Sequence, residues 1–276
     1  MPITPSHEIG PWLESPFRPD LLRGKVAVVT GGGTGIGRAI VRSLSGCGAR
    51  LAICGRRPDP IYAVRDELLA SGGECLAQTC DIREPAQIAA FVEAVKARFG
   101  RIDILVNNAG GQRPFLAADM PLENFEKVIR NNLVGTFAVT QAVARAAMIP
   151  QRAGSIINII AEIYRGFPGM AHTGAARAGV DNLTKSLAVE WATHKIRVNA
   201  VAPGIIRSTG TDRYPPELVE ISCRETPWKR LGTPEEVAHL VTFLACSAAD
   251  FITGATYYLD GGLCLWGDLF PIPDPA

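Results

Sequence analysis

The first residues able to do chemistry form the run Thr30-Gly31-Gly32-Gly33-Thr34-Gly35-Ile36-Gly37. It follows an apolar stretch of strand length and opens a helical pattern. Glycines so placed hold a diphosphate. Gly31 permits the tight turn, Gly35 lets backbone approach the anion, and Gly37 allows the helix to pack closely on the strand. Gly33, Thr34 and Ile36 belong to the same turn. The free N–H groups and dipole of the helix start supply the attraction. A second signal lies at the end of the next apolar run, Cys54-Gly55-Arg56-Arg57. An acidic residue there, about 20 residues past the glycines, would accept ribose hydroxyls. Two arginines instead suit a ribose 2′-phosphate, which guanidinium binds in bidentate fashion. Together the two signals imply NADP(H).

These residues need a scaffold, and the chain spells one. Strand-length apolar runs at Lys25–Thr30, Arg50–Cys54, Glu74–Thr79, Ile102–Asn107, Gly154–Ile159, Ile196–Val201 and Thr256–Leu259 alternate with helical patterns. The helices are expected at Gly35–Gly48, Pro60–Ser71, Pro85–Phe99, Leu122–Ala147, Gly174–Thr193 and Pro234–Ser247. Continuous hydrophobicity in the strands means both faces are covered, as in parallel sheets. The expected fold is α/β: a Rossmann-type, doubly wound, parallel seven-stranded sheet with helices on both faces. Asp81 and Thr233 stand where helix caps are expected, and Gly48, Gly72 and Gly100 where helices stop. Residues 1–24 hold five prolines with Trp12 and Phe17, and read as an arm anchored on the domain by its aromatics. Residues 25–262 make one domain, in which 205–233 reads as a long irregular lid, and 263–276 form a tail.

Bulk composition excludes other classes. Of 276 residues 47% are hydrophobic and 20% charged, a globular mixture. The net charge of +1, from 28 basic and 27 acidic residues, offers no field to draw in nucleic acid or anionic membrane. Any anion must be held locally. Seven cysteines without a C-x-x-C pair signal neither a disulfide framework nor a metal site. The N-terminus shows no signal-peptide pattern, and no uninterrupted apolar run approaches the roughly 20 residues of a bilayer span. The expectation is a cytoplasmic protein.

The order of motifs then becomes specific. Thr30–Gly37, Asn107-Asn108-Ala109-Gly110, Asn132 in Asn131–Phe137, Pro203-Gly204 and Asp260-Gly261-Gly262 resemble the short-chain dehydrogenase/reductase family over about Leu22 to Gly262. The resemblance implies that Asp81 and Ile82 border the adenine, and that Asn108, Ala109 and Gly110 line the cofactor. It also implies that Pro203, Gly204 and Ile206 lie near the nicotinamide. Family members are commonly dimers or tetramers, so a homotetramer or homodimer is expected, joined through the helices of Leu122–Ala147 and Gly174–Thr193.

The chain departs from that family where proton transfer is done. Aligned on Ala178-Gly179-Val180 and Leu183–Ala188, the family's tyrosine falls on Thr173, its lysine on Arg177 and its serine on or beside Ile160. Threonine has no useful acidity near neutral pH, so protonation of a reduced ketone is poorly supported. Reduction of an activated C=C needs chiefly stabilisation of an enolate. Gly174–Val180, Asn158-Ile159-Ile160, Asn107–Gln112 and Gly166-Phe167-Pro168 resemble the branch of trans-2-enoyl-CoA reductases, related to the 2,4-dienoyl-CoA reductases. That resemblance implies NADPH-dependent reduction of a small-molecule 2-enoyl thioester. Candidate catalytic residues are Arg177 for the ribose and the enolate, Asn132 for a water or backbone carbonyl, Tyr164 and Thr173 for the thioester oxygen, and more weakly His172. Arg207, Arg213 and Arg224 of the lid are candidates for the phosphates of the thioester carrier. Two other readings stay open: a carbonyl reductase or alcohol dehydrogenase using Tyr164 as acid, and a non-catalytic NADP-binding protein.

Overall fold

The computed structural model describes residues 16–111, 113–208 and 216–265. Seven parallel strands lie in the order β3-β2-β1-β4-β5-β6-β7. They are β1 (Val26–Thr30), β2 (Arg50–Gly55), β3 (Cys75–Thr79), β4 (Ile104–Asn107), β5 (Gly154–Ile159), β6 (Ile196–Pro203) and β7 (Thr256–Leu259). The order reverses between β1 and β4, where a crevice opens beyond the strands' carboxyl ends. β1 and β4 are buried along their whole length, as continuous apolar sequence demands.

Helices cover both faces. On one, α1 (Gly35–Gly46), α2 (Pro58–Ala70) and α7 (Pro234–Ala245) bury Ile40, Leu44, Ile61, Val237 and Val241 against Val29, Ile53 and Ile157. On the other, α3 (Pro85–Phe99), α4 (Leu122–Gln151) and α5 (Ala171–Glu190) bury Phe91, Val139, Val143 and Leu187 against Val28, Leu105 and Ile156. The expected doubly wound architecture is therefore the observed one.

Local chemistry explains several ends. Thr233 caps α7 in a reciprocal box: its Oγ1 accepts from Glu236 N at 3.2 Å, while Thr233 N donates to Glu236 Oε2 at 2.8 Å. Asp81 does not cap α3, whose N-cap is Glu84. Its carboxylate is instead held by Arg83, with Nη2 to Oδ2 at 2.5 Å. Gly100 ends α3 in a left-handed conformation (φ +75°), which a side chain would resist. The helix α4 carries two π turns, Arg130–Val134 and Ala144–Met148. By length and composition α4 is apolar enough to cross a membrane, which the unbroken-run criterion missed, and 44% of its apolar window is buried within the fold.

The segment expected to be an irregular lid contains a helix, α6 (Pro216–Glu225). Both ends of the segment are pinned: Arg207 N donates to Gly232 O at 2.8 Å and Gly232 N to Ile205 O at 3.0 Å. Of the expected arm, Leu22 is buried in the core and Phe17 meets His239 edge-on at 6.0 Å. Trp12 lies outside the described residues.

Candidate active site

The crevice at the β1/β4 reversal is a cavity of about 600 Å³. Its floor follows from how β1 ends. Thr30 Oγ1 accepts from Asn108 N and Ala109 N, each at 3.0 Å, tying the turn after β4 to the turn after β1. The Asn108 amide then donates to the carbonyls of Thr30 and Gly31, both at 3.1 Å. Gly37 packs so closely under this turn that a Cβ would strike the Gly31 carbonyl. Gly31 itself has φ +67°. Both glycines are thus required by geometry.

Most of the expected cofactor residues come together on this cavity. Gly31, Gly33, Thr34, Ile36 and Gly37 line it together with Asn108, Ala109 and Gly110, which pack against that turn, and Arg56, Arg57 and Ile82 line it as well. Arg177 lines it too. Five expected residues stand off it. Gly35, in a left-handed conformation, faces Ser208. Asp81 is held by Arg83, leaving only Ile82 of that pair on the wall. Pro203 ends β6 beside Leu259, and Gly204 packs under Asp260. Ile206 turns into the core against Gly232, because its side chain is apolar and the strand end is buried.

Sequence reasoning missed Cys54, Cys80, Gly111, Asn131 and Ser208, which also line the cavity. Asn131 sits beside the singled-out Asn132, but periodicity gave no sign of the π turn that sets its direction. The thiols of Cys54 and Cys80 share a hydrogen bond that, with burial, pushes the Cys54 thiol up.

The catalytic candidates separate sharply. Arg177 is buried at the cavity wall; its Nη1 donates to Ile159 O at 2.9 Å, while its Nε has no hydrogen-bond partner among the described residues. Burial pushes the guanidinium down to about 10, so it is still a cation at neutral pH. A Cβ on Gly110 would fall 2.5 Å from Arg177 Nη2 and 2.6 Å from Asn132 Oδ1, so only glycine lets this backbone approach the cation. Asn132 is fully occupied: Oδ1 accepts from Gly111 N at 3.1 Å, and Nδ2 donates to Gly111 O at 3.0 Å and Val128 O at 3.2 Å. It holds the backbone carbonyl and N–H of Gly111 and so positions that residue.

Thr173 and Tyr164 are not on the cavity. Thr173 is buried, with its N donating to His172 Nδ1 at 2.8 Å and its hydroxyl 3.3 Å from the same nitrogen. Tyr164 is 68% exposed and rests edge-on against Tyr258 at 6.1 Å. Ile160, at the family's serine position, is buried in apolar surroundings. Arg224 pairs with Glu225, Arg207 is exposed away from the cavity, and Arg213 lies outside the described residues.

A buried guanidinium donor without a partner, the glycine turn and two arginines free of ion pairs, all lining one cavity, fit a dinucleotide carrying an extra phosphate. The structure therefore supports the donor set that such a cofactor needs.

A family model described as enoyl-(acyl carrier protein) reductase matches residues 31–264. The chain is 39% identical over 246 residues to 3-oxoacyl-(acyl-carrier-protein) reductase FabG of Thermotoga maritima, covering 88% of this chain and 99% of the relative. It is 40% identical over 254 residues to the peroxisomal 2,4-dienoyl-CoA reductase ((3E)-enoyl-CoA-producing) of Pongo abelii, covering 90% and 87%. Among solved structures, the citronellol catabolism dehydrogenase AtuB of Pseudomonas aeruginosa superposes with a TM-score of 0.83 at 39% identity, covering 91% of this chain and all (100%) of that one.

Proposed function

This chain belongs to the short-chain dehydrogenase/reductase family of nicotinamide-dependent oxidoreductases, and we propose that within it the protein uses NADPH to reduce the C=C bond of a 2-enoyl thioester. The observation that carries this reading is Arg177. A buried cation with an unpaired donor occupies the family's lysine position, while the tyrosine position holds Thr173, turned away to His172.

Gly31–Gly37, Arg56, Arg57, Asn108–Gly110 and Arg177 would hold the cofactor, which supplies a hydride when bound. A guanidinium close to the acceptor stabilises negative charge as it develops on an enolate oxygen, and in a buried site that attraction is stronger than in water. No neutral acid of tyrosine type lines the cavity among the described residues. Among the described residues none is placed to protonate a reduced ketone in the manner of that tyrosine, whereas an enolate can take its proton later at carbon from water. Asn132 keeps Gly111, and through it the loop facing Arg177, in place.

The same reading includes a homotetramer or homodimer acting in the cytoplasm. Seven free cysteines agree with a reducing compartment, and exposed Val134, Phe137 and Val189 on α4 and α5 offer apolar surface for a second copy.

The test follows NADPH oxidation with matched trans-2-enoyl-CoA and 3-ketoacyl-CoA esters, for the wild type and Arg177→Ala. Turnover of the enoyl esters, lost by at least about a hundredfold in Arg177→Ala, is expected, as when an oxyanion donor is removed. Turnover confined to the ketoesters overturns the proposal in favour of carbonyl reduction. NADPH binding without turnover of either set leaves a non-catalytic binding protein.

A further inference from the structure

A second cavity, of about 540 Å³, opens beside the first and shares Arg56, Gly111 and Asn131 with it. Its charge is out of keeping with a chain of net charge +1: Arg56, Arg83, Arg113 and Lys127 line it, and among the described residues no carboxylate does. Arg113 has no acidic partner among the described residues, and Arg56 feels the charge of Asp81 without forming an ion pair with it. Arg83 and Lys127 are paired with Asp81 and Glu123, which stand outside the wall. The exposed Lys127–Glu123 pair is weak and yields readily to a phosphate, whereas Arg83 stays in a bidentate pair with the part-buried Asp81 and adds less to the positive field.

Two further features suit a nucleotide. Phe115 lines the cavity, on a loop held by its N–H donating to Gly169 O at 2.8 Å. An aromatic face with cations around it can stack a base while phosphates are neutralised. His172 also lines the cavity, and because its Nδ1 accepts from Thr173 N, the ring keeps its Nε2–H free to donate. Neither feature is used by the reading of the first cavity.

Resting on that enoyl-thioester reading, we propose that this cavity binds the adenosine 3′,5′-bisphosphate handle of a coenzyme A thioester, so that the substrate class is acyl-CoA. The continuity of the two cavities lets the pantetheine arm run from the handle past Gly111 to Arg177. A concave site with converging cations and one ring fits a nucleotide. Docking a carrier protein instead calls for a broad contact of roughly 1,000 Å² or more. Of the lid arginines expected to meet these phosphates, the described Arg207 and Arg224 line neither cavity, and the loop after β4 and the start of α4 supply cations in their place.

The experiment compares the wild type with Arg113→Ala/Lys127→Ala, positions that do not line the cofactor cavity. KM is measured for a trans-2-enoyl-CoA, for the same acyl group on N-acetylcysteamine, and for NADPH. Binding of adenosine 3′,5′-bisphosphate itself is measured by calorimetry with NADP+ present. The variant should raise KM for the CoA ester about tenfold, as expected for removal of two exposed phosphate contacts, and weaken bisphosphate binding equally. KM for the N-acetylcysteamine ester and for NADPH should stay unchanged.

An unchanged KM for the CoA ester overturns the proposal. So does a rise confined to NADPH, which would give the cavity to the cofactor, or a rise confined to a carrier-protein ester. If neither thioester is reduced by the wild type, the enoyl reading fails, and bisphosphate binding and its loss in the variant still decide the cavity's ligand.

Discussion

Arg56 and Arg57 show how a residue's meaning depends on what stands around it. At the end of β2 neither forms an ion pair with a carboxylate among the described residues, although Asp81 feels the charge of Arg56, and both line the cavity that the glycine turn opens. Under the proposed function they neutralise a 2′-phosphate that NADH lacks. Replacing both with alanine should raise KM for NADPH by roughly 10- to 100-fold, the worth of one or two charge-assisted hydrogen bonds, and leave KM for NADH nearly unchanged. Steady-state kinetics with both cofactors checks this, and an unaltered NADPH/NADH ratio would assign the arginines to solvent. Gly110 makes the complementary point. Its value lies in the missing Cβ, whose place is taken by Arg177 Nη2 and Asn132 Oδ1.

At the scale of elements, caps and interruptions do the positioning. The box at Thr233 starts α7, whose Val237, Val241 and Leu244 are wholly buried against the sheet. Thr233→Ala should therefore cost about 1 kcal/mol of stability, seen as a lower urea midpoint with an unchanged slope. A midpoint equal to the wild type's would mean that core packing alone sets where α7 begins. The π turn Arg130–Val134 has the opposite use: it interrupts α4 so that Asn132 reaches Gly111 while Asn131 meets the cavity. Buried amides tie the same region together. Asn107 Nδ2 donates to Thr140 Oγ1 at 2.7 Å and to Asn158 Oδ1 at 2.9 Å, and Asn158 Nδ2 donates to Thr184 Oγ1 at 2.9 Å. This chain crosses from α4 through β4 and β5 to α5, the helix that presents Arg177.

For the whole molecule, the two helices that flank the site also offer apolar surface to a partner. Val134 is 49% and Phe137 38% exposed on α4, and Val189 on α5 is 79% exposed. If these faces join identical subunits, light scattering will give a dimer or tetramer for the wild type. Val134→Asp/Phe137→Asp should then yield a smaller species, since an unpaired charge in an apolar contact is costly to desolvate. A wild type that is monomeric at micromolar concentration would remove that assembly.

By itself the sequence determined the alternation of strands and helices, the doubly wound parallel sheet, the glycine turn after β1 and the arginines after β2. These are local properties: apolar period, turn chemistry and residue type act within a few positions along the chain. It also located Arg177 and Thr173, because their helix can be aligned by its own pattern. Only the tertiary structure decided which neighbours those side chains meet. Thr173 turns to His172, Asn132 closes on Gly111, Ile206 enters the core, and Tyr164 stands exposed beside Tyr258. All but the first of these outcomes join segments well apart in sequence, whose approach is set by packing of the whole sheet, and the first is fixed by how the start of α5 is buried. The basic cavity is the clearest case. Arg56, Arg83, Arg113 and Lys127 come from four separate segments, and an even charge composition gave no hint that they converge.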